Sequence, residues 1–325
     1  MTGRFRSPLA PRLEAFLKTR CVGRRGLSTQ KILRYLDRFL AKELQPGQTI
    51  TRSVAERWMG SMQQLSTGTR INRISILRQF CRYLSCFLPQ TYSVPPSYLP
   101  RRTRPAPYIY TPDDVRKIMA LARQLGPLGS LRPRVVATTV GLLYATGIRI
   151  GEALNLTLGD VDLKRGLLQI REGKFHKSRY VPLSPSTTAR LASYVRQRRK
   201  AGFSTATSAP LVVNVAGRKY GHPLFTTVFL DLLRQSGLRG PRGQRGPRIH
   251  DLRHTFSVSR LLAWYRQGTK LGAKLPLLAT YLGHTTVTGT QVYLHATSQL
   301  LESVATRFHT HFAVPPPSTR KKRHD

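Results

Sequence analysis

The chain has 325 residues, 40% of them hydrophobic, which suits a folded protein of more than one domain and excludes a disordered one. Lysine and arginine number 54 against 14 aspartate and glutamate, a net charge of +40 that calls for a polyanionic partner, nucleic acid foremost. The longest apolar run, "VVATTVGLLYATGI", ends at Arg149, short of the ~18 to 20 apolar residues of a spanning helix, so a membrane role is set aside.

The N-terminal "MTGRFRSPLAPRLEAFLKTR" lacks the apolar centre and cleavage site of a secretory signal, and a cytoplasmic protein is expected. Apolar residues at three- and four-residue steps predict helices near 10–20, 28–43, 50–65 and 68–86. In the last of these Ile74, Leu77, Phe80, Cys81 and Leu84 share a face. Arg78 and Arg82 flank it, either meeting a phosphate backbone or simply solvated. The cysteines, Cys21, Cys81 and Cys86, show no zinc-ligand spacing and read as reduced thiols, Cys81 packing as a small hydrophobe.

The proline-rich, basic stretch "LPQTYSVPPSYLPRRTRPAPYIY" cannot continue a helix. A linker is assigned to 91–107, between a helical domain over 1–90 and a second domain over 108–312. The second domain opens at "TPDDV", where Thr111 can cap, Pro112 suits the first helical position, and Asp113 and Asp114 complement the positive helix end. Helical patterns follow at 131–147 and 149–158. "GLLQIREGKFHKSRYVPL" then reads as two strands around a polar turn carrying Lys174 and Lys177. Helices resume near 186–200, 224–236, 250–267, 274–282 and 297–309, ahead of a proline break and a basic tail over 313–325. The fold class is mainly α with one small β-sheet, an α+β arrangement.

There is no internal repeat, no cluster of carboxylates for magnesium and no Gly-rich phosphate loop. His250 and His254 stand four apart but lack a third ligand, so neither a metal nor another cofactor is expected. Metal-free attack on a phosphodiester needs a nucleophile, fixed positive charge on the non-bridging oxygens and a proton donor for the departing oxygen. Candidates are Arg149 in "YATGIRIGEAL", Lys174 in "REGKFHKSRYVPL", His250 and Arg253 in "HDLRH", His284 in "YLGHTT" and Tyr293 in "TQVYLH". Each alone has an ordinary reading: a surface arginine, a turn lysine, a hydrogen-bonded imidazole, a half-buried tyrosine. The loop "GLRGPRGQRGP", with Arg242 and Arg245, is placed to follow a phosphate backbone.

Taken in order, "ATGIRIGEALNLTLGDVDL", "GKFHKSRYVPL", "HDLRHTF" and "LLATYLGHTTVTGTQVYLH" resemble the four motif segments of the tyrosine recombinases, the phage integrase family. The resemblance covers roughly residues 108–310, and the N-terminal helices are similar, without a sharp motif, to the family's core-binding domain. It implies a C-shaped clamp on double-stranded DNA and a homo-oligomer on paired sites, a tetramer by family analogy.

Carried over by position, Tyr293 would be the nucleophile, leaving a 3′-phosphotyrosyl bond and a free 5′-hydroxyl. Arg149 and Arg253 would grip the scissile phosphate, Lys174 would protonate the leaving oxygen, His250 would assist proton transfer at the tyrosine, and His284 would bond a phosphate oxygen. Glu152 and Asp251 read either as carboxylates that orient these cations or as plain ion pairs. Lys177 rivals Lys174, and His295 reads as a surface histidine. The implied activity is site-specific DNA recombination of the integrase or transposase kind. A catalytically silent DNA-binding protein of the same fold and a type IB-like topoisomerase are the other readings; the six filled positions and "LGHTT" favour the recombinase.

Overall fold

The computed structural model describes residues 5–20, 25–101, 106–127, 129–171 and 178–283. The chain divides into two compact units, Met1–Pro105 and Ala106–Asp325.

In the first unit, α1 (Ala10–Arg20), α2 (Arg25–Glu43), α3 (Arg52–Gly60) and α4 (Thr67–Ser85) enclose one apolar core. Leu13, Leu33, Leu36, Leu40, Leu77, Phe80 and Leu84 lie at its centre. The buried Asp37 of α2 accepts the backbone N–H groups of Arg6 and Ser7, which fixes the chain's approach to α1. Hydroxyl caps at Thr51 and Ser66 start α3 and α4. Thus α3 is shorter than its apolar periodicity predicts, and α2 begins earlier. Cys81 is buried on the apolar face of α4, where burial pushes its thiol up to about 12; Cys21 lies outside the described residues.

Residues 92–98, within the stretch assigned as a linker, are fastened to the first unit. Val94 is buried in the first unit's core, the Tyr92 N–H bonds the Ile50 carbonyl at 2.8 Å, and a 3-10 turn, Pro96–Tyr98, sets the Tyr98 hydroxyl on Glu56. Proline stops the helix, but the apolar side chains between the prolines still find core to cover.

The second unit holds α5 (Pro112–Ala122), α6 (Arg132–Thr146), α7 (Ile150–Asn155), α8 (Pro185–Lys200), α9 (His222–Gln235), α10 (Asp251–Arg266) and α11 (Leu271–Leu282). Its sheet has the order β1 (Val161–Asp162), β2 (Leu167–Ile170), β3 (Arg179–Pro182), antiparallel throughout, with Leu168 opposite Val181 and Ile170 opposite Arg179. α5 starts as read: Thr111 and Asp114 exchange side-chain and backbone bonds in a capping box, and the Tyr108 hydroxyl adds a further bond to Asp114.

α6 runs through the centre, buried at Val135, Val136, Val140, Leu142 and Leu143, with α5, α8 and α10 packed around it. A satellite cluster of Phe256, Val258, Leu261, Leu275, Leu278 and Leu282 joins α10 to α11. α11 begins at Leu271, about one turn before its periodicity predicts, and keeps Pro276 inside. The helix expected near 297–309 and the tail over 313–325 lie outside the described residues. Among the described residues no helix is long and apolar enough to cross a membrane.

Candidate active site

α6 ends at Gly147, whose φ of 63° is left-handed and whose missing Cβ would lie 2.4 Å from Phe256 Cδ1. Only glycine suits that point. The turn buries Ile148 and delivers Arg149 as the residue before α7. One turn into α7, Glu152 reaches back: its carboxylate accepts the Arg149 backbone N–H at 2.9 Å and Arg149 Nη1 at 2.8 Å. From β3, Arg179 gives Nη1 and Nη2 to the same carboxylate at 3.2 and 2.8 Å. Burial alone would raise the Glu152 carboxyl, but the bonds and charge of Arg179, then those of Arg149, outweigh it and hold the group at about 2.

The three arginines also meet at one short piece of backbone. At the end of α11, Arg179 Nε donates to the Tyr281 carbonyl at 2.7 Å, Arg253 Nη2 to Leu282 at 2.6 Å, and Arg149 Nη2 to Gly283 at 3.0 Å. Arg253 Nη1 adds a 2.8 Å bond to the Gly147 carbonyl. Arg253, only 2% exposed, thus sits where both α6 and α11 turn their carbonyl ends toward it. The negative end of a helix dipole favours a cation there. Arg149, Glu152 and Arg253 are therefore brought together around the residues that immediately precede His284.

His250 stands just before α10, with its ring edge to face against His254 at a centroid separation of 4.8 Å. Its carbonyl accepts the Arg253 N–H at 3.1 Å, so the two share the first turn. His250 keeps a solvent-exposed side, yet the protein packed around it, followed by the charges of His254 and Arg253, pushes its imidazole below the ordinary histidine value. His254 is lowered as well, chiefly by burial. Neutral imidazoles result at neutral pH, able to accept a proton. The charge of the buried Asp251 opposes the downward shift of both rings; its carboxylate takes the Arg248 backbone N–H at 2.8 Å and Arg248 Nη2 at 3.0 Å, and Tyr110 bonds the Arg248 carbonyl.

Arg239 ties the loop ahead of this turn from within, donating to the Pro247 and Gln244 carbonyls, while Arg242 and Arg245 stand exposed on it. In the first unit Arg82 is exposed, whereas Arg78 is half-buried and gives Nε to the Val94 carbonyl at 2.8 Å. Lys174, Lys177, His284, Tyr293 and His295 lie outside the described residues. No group of three or more histidine, cysteine, aspartate or glutamate side chains able to hold a metal ion occurs among the described residues. Sequence reading did not single out Arg179. Arg179 had one signal, its place at the start of the second hairpin strand, but its partners are distant in sequence.

The sequence pattern of the phage integrase family matches residues 109–299. An integrase/recombinase of Sinorhizobium fredii is 36% identical over 262 residues, covering 79% of this chain and 83% of that protein. The tyrosine recombinase XerD of Listeria monocytogenes is 28% identical over 297 residues, covering 88% of this chain and 94% of that one. Among solved structures, the XerH site-specific recombinase bound to a palindromic difH substrate, a post-cleavage complex, superposes with a TM-score of 0.65. That likeness spans 90% of this chain and 83% of the other at 21% identity, and it speaks for the fold.

Proposed function

The chain belongs to the phage integrase family, and from that premise we propose that it is a site-specific tyrosine recombinase that cuts and rejoins double-stranded DNA through Tyr293. The relatives named integrase/recombinase and tyrosine recombinase support the activity. The observation that carries the assignment of the site is the convergence of Arg149 and Arg253 on adjacent carbonyls just before His284. Two guanidinium groups so held concentrate fixed positive charge of the kind a phosphodiester's non-bridging oxygens need.

The Tyr293 oxygen attacks the scissile phosphorus, a tyrosyl–phosphorus bond forms, and the bond to the 5′ oxygen breaks. Arg149 and Arg253 neutralise the charge that builds on the phosphate. His250 would assist transfer of the phenol proton; its surroundings keep the ring neutral while lowering its basicity. Lys174, or Lys177 on the same turn, gives a proton to the departing 5′ oxygen. His284 bonds a phosphate oxygen. Glu152 orients Arg149, and Asp251 orients Arg248 beside His250. The bond type is conserved, so a second strand's 5′-hydroxyl can reverse the step without a cofactor.

The first unit is the core-binding domain and the second the catalytic one in this reading, working as a homo-oligomer, a tetramer, on paired DNA sites in the cytoplasm. Exposed Arg82, Arg242 and Arg245 would contact backbone phosphates; the first partner of Arg78 is the Val94 carbonyl. The test is a trapping assay without metal on nicked duplexes from the flanks of the gene, comparing the parent with Tyr293→Phe. Nicking lets the 5′ product leave, so a denaturant-stable adduct with a 3′ linkage should accumulate and vanish in the variant. Specific binding with no adduct would favour a DNA-binding protein that does not cleave.

A further inference from the structure

We propose that Arg179 is a positioning residue of the cleavage reaction: it fixes the Arg149 guanidinium on the scissile phosphate by way of Glu152, and it locks the hairpin and the end of α11 to the same point. The inference rests on the recombinase reading above and adds a residue to which no role has been given.

Three observations carry it. Arg179 is the first residue of β3, opposite the buried Ile170, so it stands where the chain enters β3 from the stretch that includes Lys174 in sequence. Its fork holds both Glu152 oxygens, and those oxygens hold the backbone and the Nη1 of Arg149. Its Nε takes the Tyr281 carbonyl, next to the carbonyls taken by Arg253 and Arg149. One half-buried guanidinium therefore joins the pieces of chain that lead to Lys174, to Arg149 and to His284. The fit is close: at Gly283, with φ at 66°, an added Cβ would lie 3.0 Å from Arg179 Nη1.

The chemistry explains why arginine stands there. A carboxylate clamped on one side by a planar, permanently charged fork has a single orientation, so Arg149 on its other side has one as well. Lysine offers a point charge and cannot meet both oxygens and a carbonyl with fixed geometry. Loss of Arg179 removes the outer clamp on Glu152 and lets the Glu152–Arg149 pair shift, without removing any group that touches the phosphate.

The test is single-turnover cleavage by the full chain, with Arg179→Met and Arg179→Lys beside the parent. Each acts on nicked duplexes whose scissile linkage is either the natural phosphate or an uncharged methylphosphonate. On phosphate, Arg179→Met should cleave roughly 10²-fold more slowly, the scale expected when a catalytic group is misplaced by about 1 Å. On methylphosphonate, which carries no charge for Arg149 to neutralise, the deficit should shrink to less than about tenfold. Arg179→Lys should fall between, and it carries the same comparison if Arg179→Met does not fold. Equal deficits on the two linkages would show a merely structural role and overturn the proposal, as would unchanged cleavage. A parent that forms no adduct on either linkage would instead refute the recombinase reading, and the proposal with it.

Discussion

Replacing Glu152 by glutamine tests whether the arginine cluster depends on one negative charge. The carboxylate is 9% exposed and accepts bonds from the Arg149 backbone, Arg149 Nη1, and Arg179 Nη1 and Nη2. Glutamine keeps the shape but turns one acceptor into an NH₂ that faces guanidinium donors. The carboxyl is held at about 2 against an ordinary 4.5, which corresponds to on the order of 3 kcal/mol of stability at neutral pH. The sign follows from proton linkage. The unfolded chain binds the proton more readily, so the contribution is complete above the unfolded value and is lost as pH falls from 4.5 toward about 2.

Urea unfolding of the parent and Glu152→Gln should therefore differ by roughly 3 kcal/mol at neutral pH, with more than half of that gone by about pH 3. Trp264 lies in the second unit and Trp58 in the core of the first, so a Trp58→Phe background lets Trp264 fluorescence follow the relevant unit alone. A neutral-pH difference below about 0.5 kcal/mol, or one that does not shrink on acidification, would refute the argument that Glu152 is the charge on which both arginines rest.

Gly147→Ala places a Cβ against Phe256 at a left-handed φ of 63°; thermal unfolding should show a loss of roughly 2 to 4 kcal/mol, and a loss under about 1 would mean that the junction yields freely. The His250 imidazole should titrate by NMR with a midpoint below the ordinary 6.5, because burial, His254 and Arg253 disfavour its charged form. Since its folded value is the lower one, its effect on stability turns unfavourable as pH drops below 6.5; a midpoint at or above that value would refute the argument that burial and the neighbouring charges disfavour the charged ring. Specific DNA binding should weaken by about 10³-fold or more between 50 and 200 mM salt, measured by fluorescence anisotropy, and a nearly flat salt dependence would count against phosphate contacts as the source of affinity.

What the sequence made legible was local. Thr111, Pro112 and Asp114 announce α5 within four residues, and the alternation on either side of the Lys174 turn announces the hairpin. Arg149 and Arg253 were reachable through the motifs around them. Arg179 was not, because its partners are Glu152, 27 residues back, and a backbone carbonyl 102 residues on. A carbonyl acceptor leaves no mark on residue identity, so no pattern of side chains could have shown that the end of α11 gathers three arginines. The 91–99 segment was legible only in part: its prolines are conspicuous, while Tyr92 and Val94, which fasten it to the first unit, are single apolar residues without periodicity.

The carbonyl arrangement also answers how a chain with 54 basic and 14 acidic residues can pack guanidinium groups side by side. Glu152 pairs with Arg149 and Arg179, while Arg253 donates to the Gly147 and Leu282 carbonyls. The other compensation comes from the C-terminal ends of α6 and α11, each equivalent to about half a negative charge. In the proposed recombinase reading, helix ends, being fixed dipoles, would keep the arginines preorganised as charge builds in the transition state. For a site that must bind a monoanion and stabilise more negative charge as the reaction proceeds, compensation by backbone serves better than compensation by carboxylates.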